Sequence, residues 1–306
     1  MLKGLVAVAL LAALYWAADW RAVLMAAADL DVLWLAAAML LFVPQTLVSA
    51  LRWRAVTGRV CPLGLGQALR QTLAASALNL VVPSKLGDLS KAGMLPVPPA
   101  AKARAALLAT CEKAADVLAL ALFWAAGAGG ALPATAAAVF VGTVILGAIA
   151  WQARRPMPDP LDVRRWALDV GRSSVSANGT TPASHRAIPW ASLALWSLVL
   201  WSLHLLQIGW FLRAAGVEVG VQETIARVPP AIFAGLLPIT LWGVGTRDAA
   251  LVHLFADLAP ASTMAVVGML TALRYVVPGA VGIALVPGAF AFVRNSRPST
   301  APLNRA

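Results

Sequence analysis

Three ionisable residues within five positions, Glu112, Lys113 and Asp116, interrupt an apolar run from about 102 to 127. A helix entering the membrane near Lys102 rises about 1.5 Å per residue, which puts Glu112 about 15 Å and Asp116 about 21 Å deep, around mid-bilayer. Four positions apart, the two carboxylates share one helix face. A charge at that depth costs at least about 2.5–3.5 kcal/mol unless compensated, so the group demands a polar interior. Two chemistries fit: a structural ion pair of Lys113 with Asp116 at i, i+3, or a pathway for a substrate, proton or ion. Arg274 is a further intramembrane charge, within Thr271-Ala272-Leu273-Arg274-Tyr275 and ahead of Pro278 and Gly279. Counted from an outer-face entry near Ala261 it lies about 20 Å in, within side-chain reach of Glu112. The expected contact is Glu112–Arg274 or Asp116–Arg274. The competing chemistry is a guanidinium that takes a phosphate in bidentate fashion.

Two broken polar segments accompany these charges. In Asn79-Leu80-Val81-Val82-Pro83-Ser84-Lys85-Leu86-Gly87-Asp88, proline ends a helix, Gly87 permits a tight turn, and Lys85 and Asp88 place opposite charges beside the break. Backbone groups exposed there, together with Lys85, suit a phosphate; alternatively Lys85 reaches the interface and Asp88 caps the next short helix. Asn79 suits either a freed carbonyl or a ligand. The second segment, Gly243-Val244-Gly245-Thr246-Arg247-Asp248, reads as a glycine turn opening a short helix with Arg247 in its first turn, and Pro229-Pro230 is expected to break the approach to it.

The elements that must position these residues follow from composition. Hydrophobic residues make up 60% of the 306 positions and charged residues 12%, which leaves no polar face for a soluble domain and identifies an integral membrane protein. Apolar windows predict six full spans at about 4–20, 31–51, 102–127, 132–151, 189–213 and 261–292. Between them, 64–97 and 220–258 read as re-entrant hairpins or pairs of short crossings. With a cytoplasmic N-terminus, Arg52, Arg54 and Arg59, the flanks Arg70, Lys91, Lys102 and Arg104, the basic loop 152–188 and the C-terminus all fall on one face, as the positive-inside rule requires. The hairpins then enter from opposite faces. Gln67 and Pro83 recur as Gln222 and Pro238, an offset of 155 at both (222 − 67 and 238 − 83). The prediction is one all-α polytopic transmembrane domain over 1–306, built as an inverted-topology repeat of about 31–127 and 189–292.

Other function classes recede on the same grounds. The net charge of +11 flanks apolar spans, which points to membrane head groups and away from nucleic acid. Cys61 and Cys111 form no metal-like cluster or expected disulfide, and His185, His204 and His253 lack ligand spacing, so no metal and no cofactor is expected. Tryptophans 16, 20, 151, 190 and 210 fall near span ends as an aromatic belt. The short first run is expected to be an uncleaved span.

The order Asn79-x3-Pro83-x-Lys85-x-Gly87-Asp88, Glu112-Lys113-x2-Asp116, a proline-glycine segment with an acidic residue and a late Arg274 resembles the lysylphosphatidylglycerol synthase transmembrane region, or flippase-like domain, family. That family's motifs run approximately N-x3-P-x-[RK]-x-G-[ED] and E-R-x2-D; Asp88, Lys113 and the Arg247-Asp248 pair depart from them. The resemblance implies lipid movement across the bilayer without the soluble synthase domain. The reading is an inner-membrane flippase for an anionic phospholipid or lipid-linked sugar. The head group would be held by Asn79, Lys85, Asp88, Arg247 and Arg274, with Glu112, Lys113 and Asp116 as the charge pathway and no catalytic residue. Its partners would be membrane lipids and a glycosyltransferase or lipid-modifying enzyme. The alternatives are an enzyme on a lipid phosphate, with Asp88 or Glu112 as general base, and a non-catalytic protein that presents lipid to a glycosyltransferase.

Overall fold

The computed structural model describes residues 19–58, 61–81, 87–95, 97, 99–129, 190–236 and 243–286. Residues 4–18 of the expected first span, the expected span 132–151, the loop 152–188, Lys85 and Pro83 in the first break, and Pro238 lie outside the described residues. Every regular element among the described residues is a helix, and runs of Ala and Leu, both strong helix formers, fill most of them. In chain order they are α1 (Trp20–Ala28), α2 (Val32–Leu40), α3 (Phe42–Thr57), α4 (Leu65–Val81), α5 (Ser90–Met94), α6 (Pro99–Gly127), α7 (Trp190–Ala214), α8 (Val221–Leu236), α9 (Thr246–Leu254) and α10 (Ala261–Leu285). Asp31 starts α2 by accepting from the backbone N–H groups of Leu33 and Trp34 at 2.8 and 3.2 Å, which satisfies donors the first turn leaves without a helical partner. Among the described residues three stretches are long and apolar enough to cross a membrane: Val32–Thr57, which joins α2 and α3, Trp190–Ala214 and Ala261–Leu285.

Two details differ from the sequence-based expectation. The span expected to end near residue 51 continues as α3 to Thr57, so Arg52 lies inside a helix and is buried. Pro229 and Pro230, expected to break the approach segment, sit within α8, which runs on to Leu236.

Helices α3 and α7 run antiparallel through a polar seam. Gln45 Nε2 donates to Gln207 Oε1 at 3.1 Å, Gln207 donates to the Ala38 carbonyl at 2.8 Å, and Arg52 reaches Ser197 at 3.0 Å. The partner number falls as the residue number rises, which is the mark of opposed direction. Helices α4 and α10 pack closely because Gly282 lets the Leu73 carbonyl approach; a Cβ there would lie 2.1 Å from that oxygen. On the other side α6 meets α8 at Gly127, whose Cβ would lie 2.4 Å from the Ala226 nitrogen, and Gln222 Nε2 donates to the Gly127 carbonyl at 2.8 Å. One apolar core joins α7, α8, α9 and α10, with Phe211, Phe255 and Val267 among its fully buried members. A second joins α3, α4, α5 and α6 around Trp53, Leu95 and Leu108. The polar site described next lies between these two cores.

Candidate functional site

Helix α6 brings Glu112, Lys113 and Asp116 inward, and the structure surrounds them with cations from two other elements. Arg52 on α3, 1% exposed, donates through Nε to Glu112 at 3.2 Å and through both terminal nitrogens to Asp116, with the Nη2–Oδ2 bond at 3.3 Å. Lys91 on α5 binds the second Glu112 oxygen at 2.9 Å while its ammonium lies 5.1 Å from the Trp53 ring centre. Trp53 is held in turn by its indole N–H on Gln71 at 2.7 Å. Lys113 bridges Asp88 at 2.6 Å and Asp116 at 3.2 Å, and Asn79 donates to the other Asp88 oxygen at 3.1 Å. Three cations thus offset three carboxylates in one connected lattice. Buried charges persist only when paired and hydrogen-bonded in this way.

Gly87 makes that lattice reachable for Asp88. It rests so closely on α4 that a Cβ would fall 2.6 Å from the backbone nitrogen and side-chain oxygen of Asn79. Ser90 then donates to the Gly87 carbonyl at 2.5 Å and opens α5. Gly87 and Asp88 therefore pack back onto the end of α4, the helix that precedes the break.

A cavity of about 490 Å³ opens beside the lattice. Arg52, Asp88, Lys91, Lys113 and Asp116 supply its charged wall, while Leu120, Leu200, Leu236 and Pro278 are among its apolar lining. Arg274 on α10 lines it as well. Its Nη2 donates to the Tyr275 hydroxyl at 2.8 Å, whereas Nε and Nη1 have no protein partner although the residue is only 5% exposed. Among the described residues Arg274 is the charge lining the cavity that no carboxylate offsets.

A protein-family model described as the lysylphosphatidylglycerol synthase TM region matches residues 1–282. The chain belongs to this family. No curated protein matches it. The family's description ties the chain to lipid handling, and its long apolar helices agree with a place in the membrane.

In this family member, the structure brings Asn79, Asp88, Lys113, Asp116 and Arg274 to the wall of one cavity, with Glu112 directly behind it at 0% exposure. Arg247 stands elsewhere. It is buried in the second break, where it binds Asp248 at 2.7 Å and the Gly268 carbonyl at 2.9 Å, while Asp248 accepts from the Gly245 N–H at 3.0 Å. That pair serves to anchor α9 on α10. The expected contact of Arg274 with Glu112 or Asp116 does not form, because Arg52 and Lys91 already occupy those carboxylates. Lys113 does pair with Asp116 at i, i+3, and with Asp88 in addition.

Arg52 and Lys91 are the residues sequence reasoning missed, having been read as interfacial positive charge. The signal was present in the charge count: Asp88, Glu112 and Asp116 with Lys113 alone would leave an excess of buried negative charge. Cys61 and Cys111 are both free thiols. Among the described residues no group of His, Cys, Asp and Glu could hold a metal ion. His204 lies against Trp201 on the cavity wall, with ring centres 5.3 Å apart.

Proposed function

We propose that the protein is a flippase of the inner membrane, which carries an anionic phospholipid or lipid-linked sugar across the bilayer with its head group in the cavity and its tails in lipid. The observation that carries this reading is Arg274: a nearly buried guanidinium with two unspent N–H groups, on the wall of a cavity whose other charges are balanced. Each of these nitrogens can make a charge-assisted hydrogen bond to a phosphate oxygen. The cavity volume falls within the usual range for ligand sites, about 300–1,000 Å³. Apolar walls beside the charge suit the start of an acyl or isoprenoid chain.

An inverted repeat would let two hairpins expose this cavity in turn. Several features support it. The order long span, medium helix, break, short helix, long helix occurs from the joined α2–α3 stretch, Val32–Thr57, to α6 and again as α7 to α10. The 155-residue offset carries Val81, the end of α4, onto Leu236, the end of α8, and Gly127 onto Gly282. Each of those glycines receives the medium helix of the other half, and the corresponding helices α3 and α7 run antiparallel. The same offset carries Lys113, which holds Asp88, onto Gly268, whose carbonyl binds Arg247 beside Asp248. A carboxylate–cation pair thus anchors each hairpin to the long helix that follows it. Both termini would be cytoplasmic on the distribution of Lys and Arg.

An enzyme acting on a lipid phosphate would need Asp88 or Glu112 as a general base. Glu112 accepts from two cations and Asp88 from Lys113 and Asn79, so carriage is favoured over proton abstraction. The test is movement of labelled lipids in vesicles holding the purified protein. Anionic or glycosylated lipid should change leaflets faster than in empty vesicles, and Arg274→Gln should abolish the gain. Rates equal to empty vesicles for every such lipid would overturn the proposal.

A further inference from the structure

Among the described residues that line the cavity, Arg274, Trp201 and Thr72 each carry a donor that the protein leaves unspent. Trp201 on α7 is 7% exposed and its indole N–H has no protein partner; Thr72 on α4 is 6% exposed and its hydroxyl has none. Both line the same cavity as Arg274, so the three come from three different helices. Buried polar groups in folded proteins nearly always find a partner, and three exceptions converging on one cavity identify a ligand surface. An indole N–H donates only, so it selects an acceptor.

Resting on the flippase reading, we infer that Trp201 and Thr72 read acceptor oxygens of the head group beyond its phosphate. The substrate class is then an anionic phospholipid whose head carries oxygens of the glycerol or sugar kind, and neither a bare phosphate nor an ammonium head satisfies it.

The placement of the helices argues for this division. The Leu73 carbonyl meets Gly282 and the Leu80 side chain meets Gly279, which sets the direction of α4 against α10. Thr72, beside Leu73, therefore stands near Gly282, about 12 Å along α10 from Arg274 at the helical rise. One phosphate cannot serve both residues. Trp201 lies one turn beyond Ser197, whose hydroxyl accepts from Arg52, and its ring is fixed at 65° to that of His204. An ammonium head would turn its own donors toward these donors and gain nothing from them. A hydroxylated head presents oxygens along its length and suits all three.

Native mass spectrometry of the full chain in detergent tests this with three added lipids: phosphatidylglycerol, phosphatidic acid and phosphatidylethanolamine. Wild type should bind phosphatidylglycerol most tightly. Trp201→Phe and Thr72→Val should each weaken it about fivefold, the scale of one neutral hydrogen bond, and leave phosphatidic acid unchanged. Arg274→Gln should weaken both anionic lipids together. Equal losses for phosphatidylglycerol and phosphatidic acid, or wild-type binding of both, would overturn the assignment of the residue replaced. If the tryptophan variant does not fold, the near-isosteric Thr72→Val decides. Wild-type binding of every lipid by Arg274→Gln would count against the flippase reading itself, which separates the two failures.

Discussion

Replacing Arg52 with methionine should damage the protein far more than the same change at Arg274, although both are arginines in buried surroundings. Arg52 donates to Glu112, to both oxygens of Asp116 and to Ser197, and it ties α3 to α6 and α7. Its removal leaves Glu112 to Lys91 alone and Asp116 to Lys113 alone, with one uncompensated negative charge in the lattice. Breaking a buried pair from one side costs about 3–5 kcal/mol, because the remaining charge stays buried. Methionine fills much of the same volume, so the loss reflects charge more than packing. Restoring neutrality with Asp116→Asn in the Arg52→Met background should return most of it. Arg274→Met removes a cation that no carboxylate offsets, and its cost should stay within about 1 kcal/mol. Unfolding in mixed micelles of a mild and a denaturing detergent measures all four proteins on one scale. An Arg52→Met variant within about 0.5 kcal/mol of wild type, the range of an ordinary surface change, would refute the reasoning. So would a double variant less stable than the single one.

Alanine at Gly127 or Gly282 should destabilise by about 1–3 kcal/mol or more through overpacking, since each Cβ would meet backbone atoms of a neighbouring helix, whereas Gly66, with open space around it, should accept alanine without loss in the same unfolding assay. Gly87→Ala should push the start of α5 off α4 and part Asp88 from Asn79; a cysteine introduced at position 88 would then react faster with a soluble maleimide than it does beside Gly87. Outside the membrane-spanning helices, the hydrogen bonds of Arg227 hold the Asp257 carboxyl below its ordinary range. A depressed carboxylate stabilises above its unfolded pKa of about 3.9 and loses that contribution as pH falls through the folded value. Asp257→Asn should therefore flatten the acid side of the stability profile slightly, slightly because the pair is exposed, and an unchanged profile would show that the pair contributes nothing.

How far the sequence spoke for itself varied with the kind of residue. Glu112, Lys113 and Asp116 were legible because charge inside an apolar run has no solvent to justify it, and the break at 79–88 was legible because proline and glycine punctuate helices. Arg52 was hidden by its position near a span end, where positive charge has a ready explanation in membrane orientation. Lys91 was hidden in the same way. The partner of Arg274 was misread because helical rise gives depth and not direction around the axis: Glu112 and Arg274 are at compatible heights, yet Arg52 and Lys91 stand between them in the charge economy of the site. Arg247 looked like a ligand group in sequence because the carbonyl it binds, that of Gly268, lies 21 residues away on another helix. Trp201 carried no signal in the sequence, and only the packing of α7 puts it on the cavity wall.

The most direct test of the account is the leaflet exchange of labelled phosphatidylglycerol in vesicles containing wild type, Arg274→Gln or Trp201→Phe. Wild type should exchange the lipid well above empty vesicles, Arg274→Gln should fall to the empty-vesicle rate, and Trp201→Phe should lie between them at low lipid content. Exchange by Arg274→Gln at the wild-type rate would contradict the claim that this guanidinium holds the travelling head group.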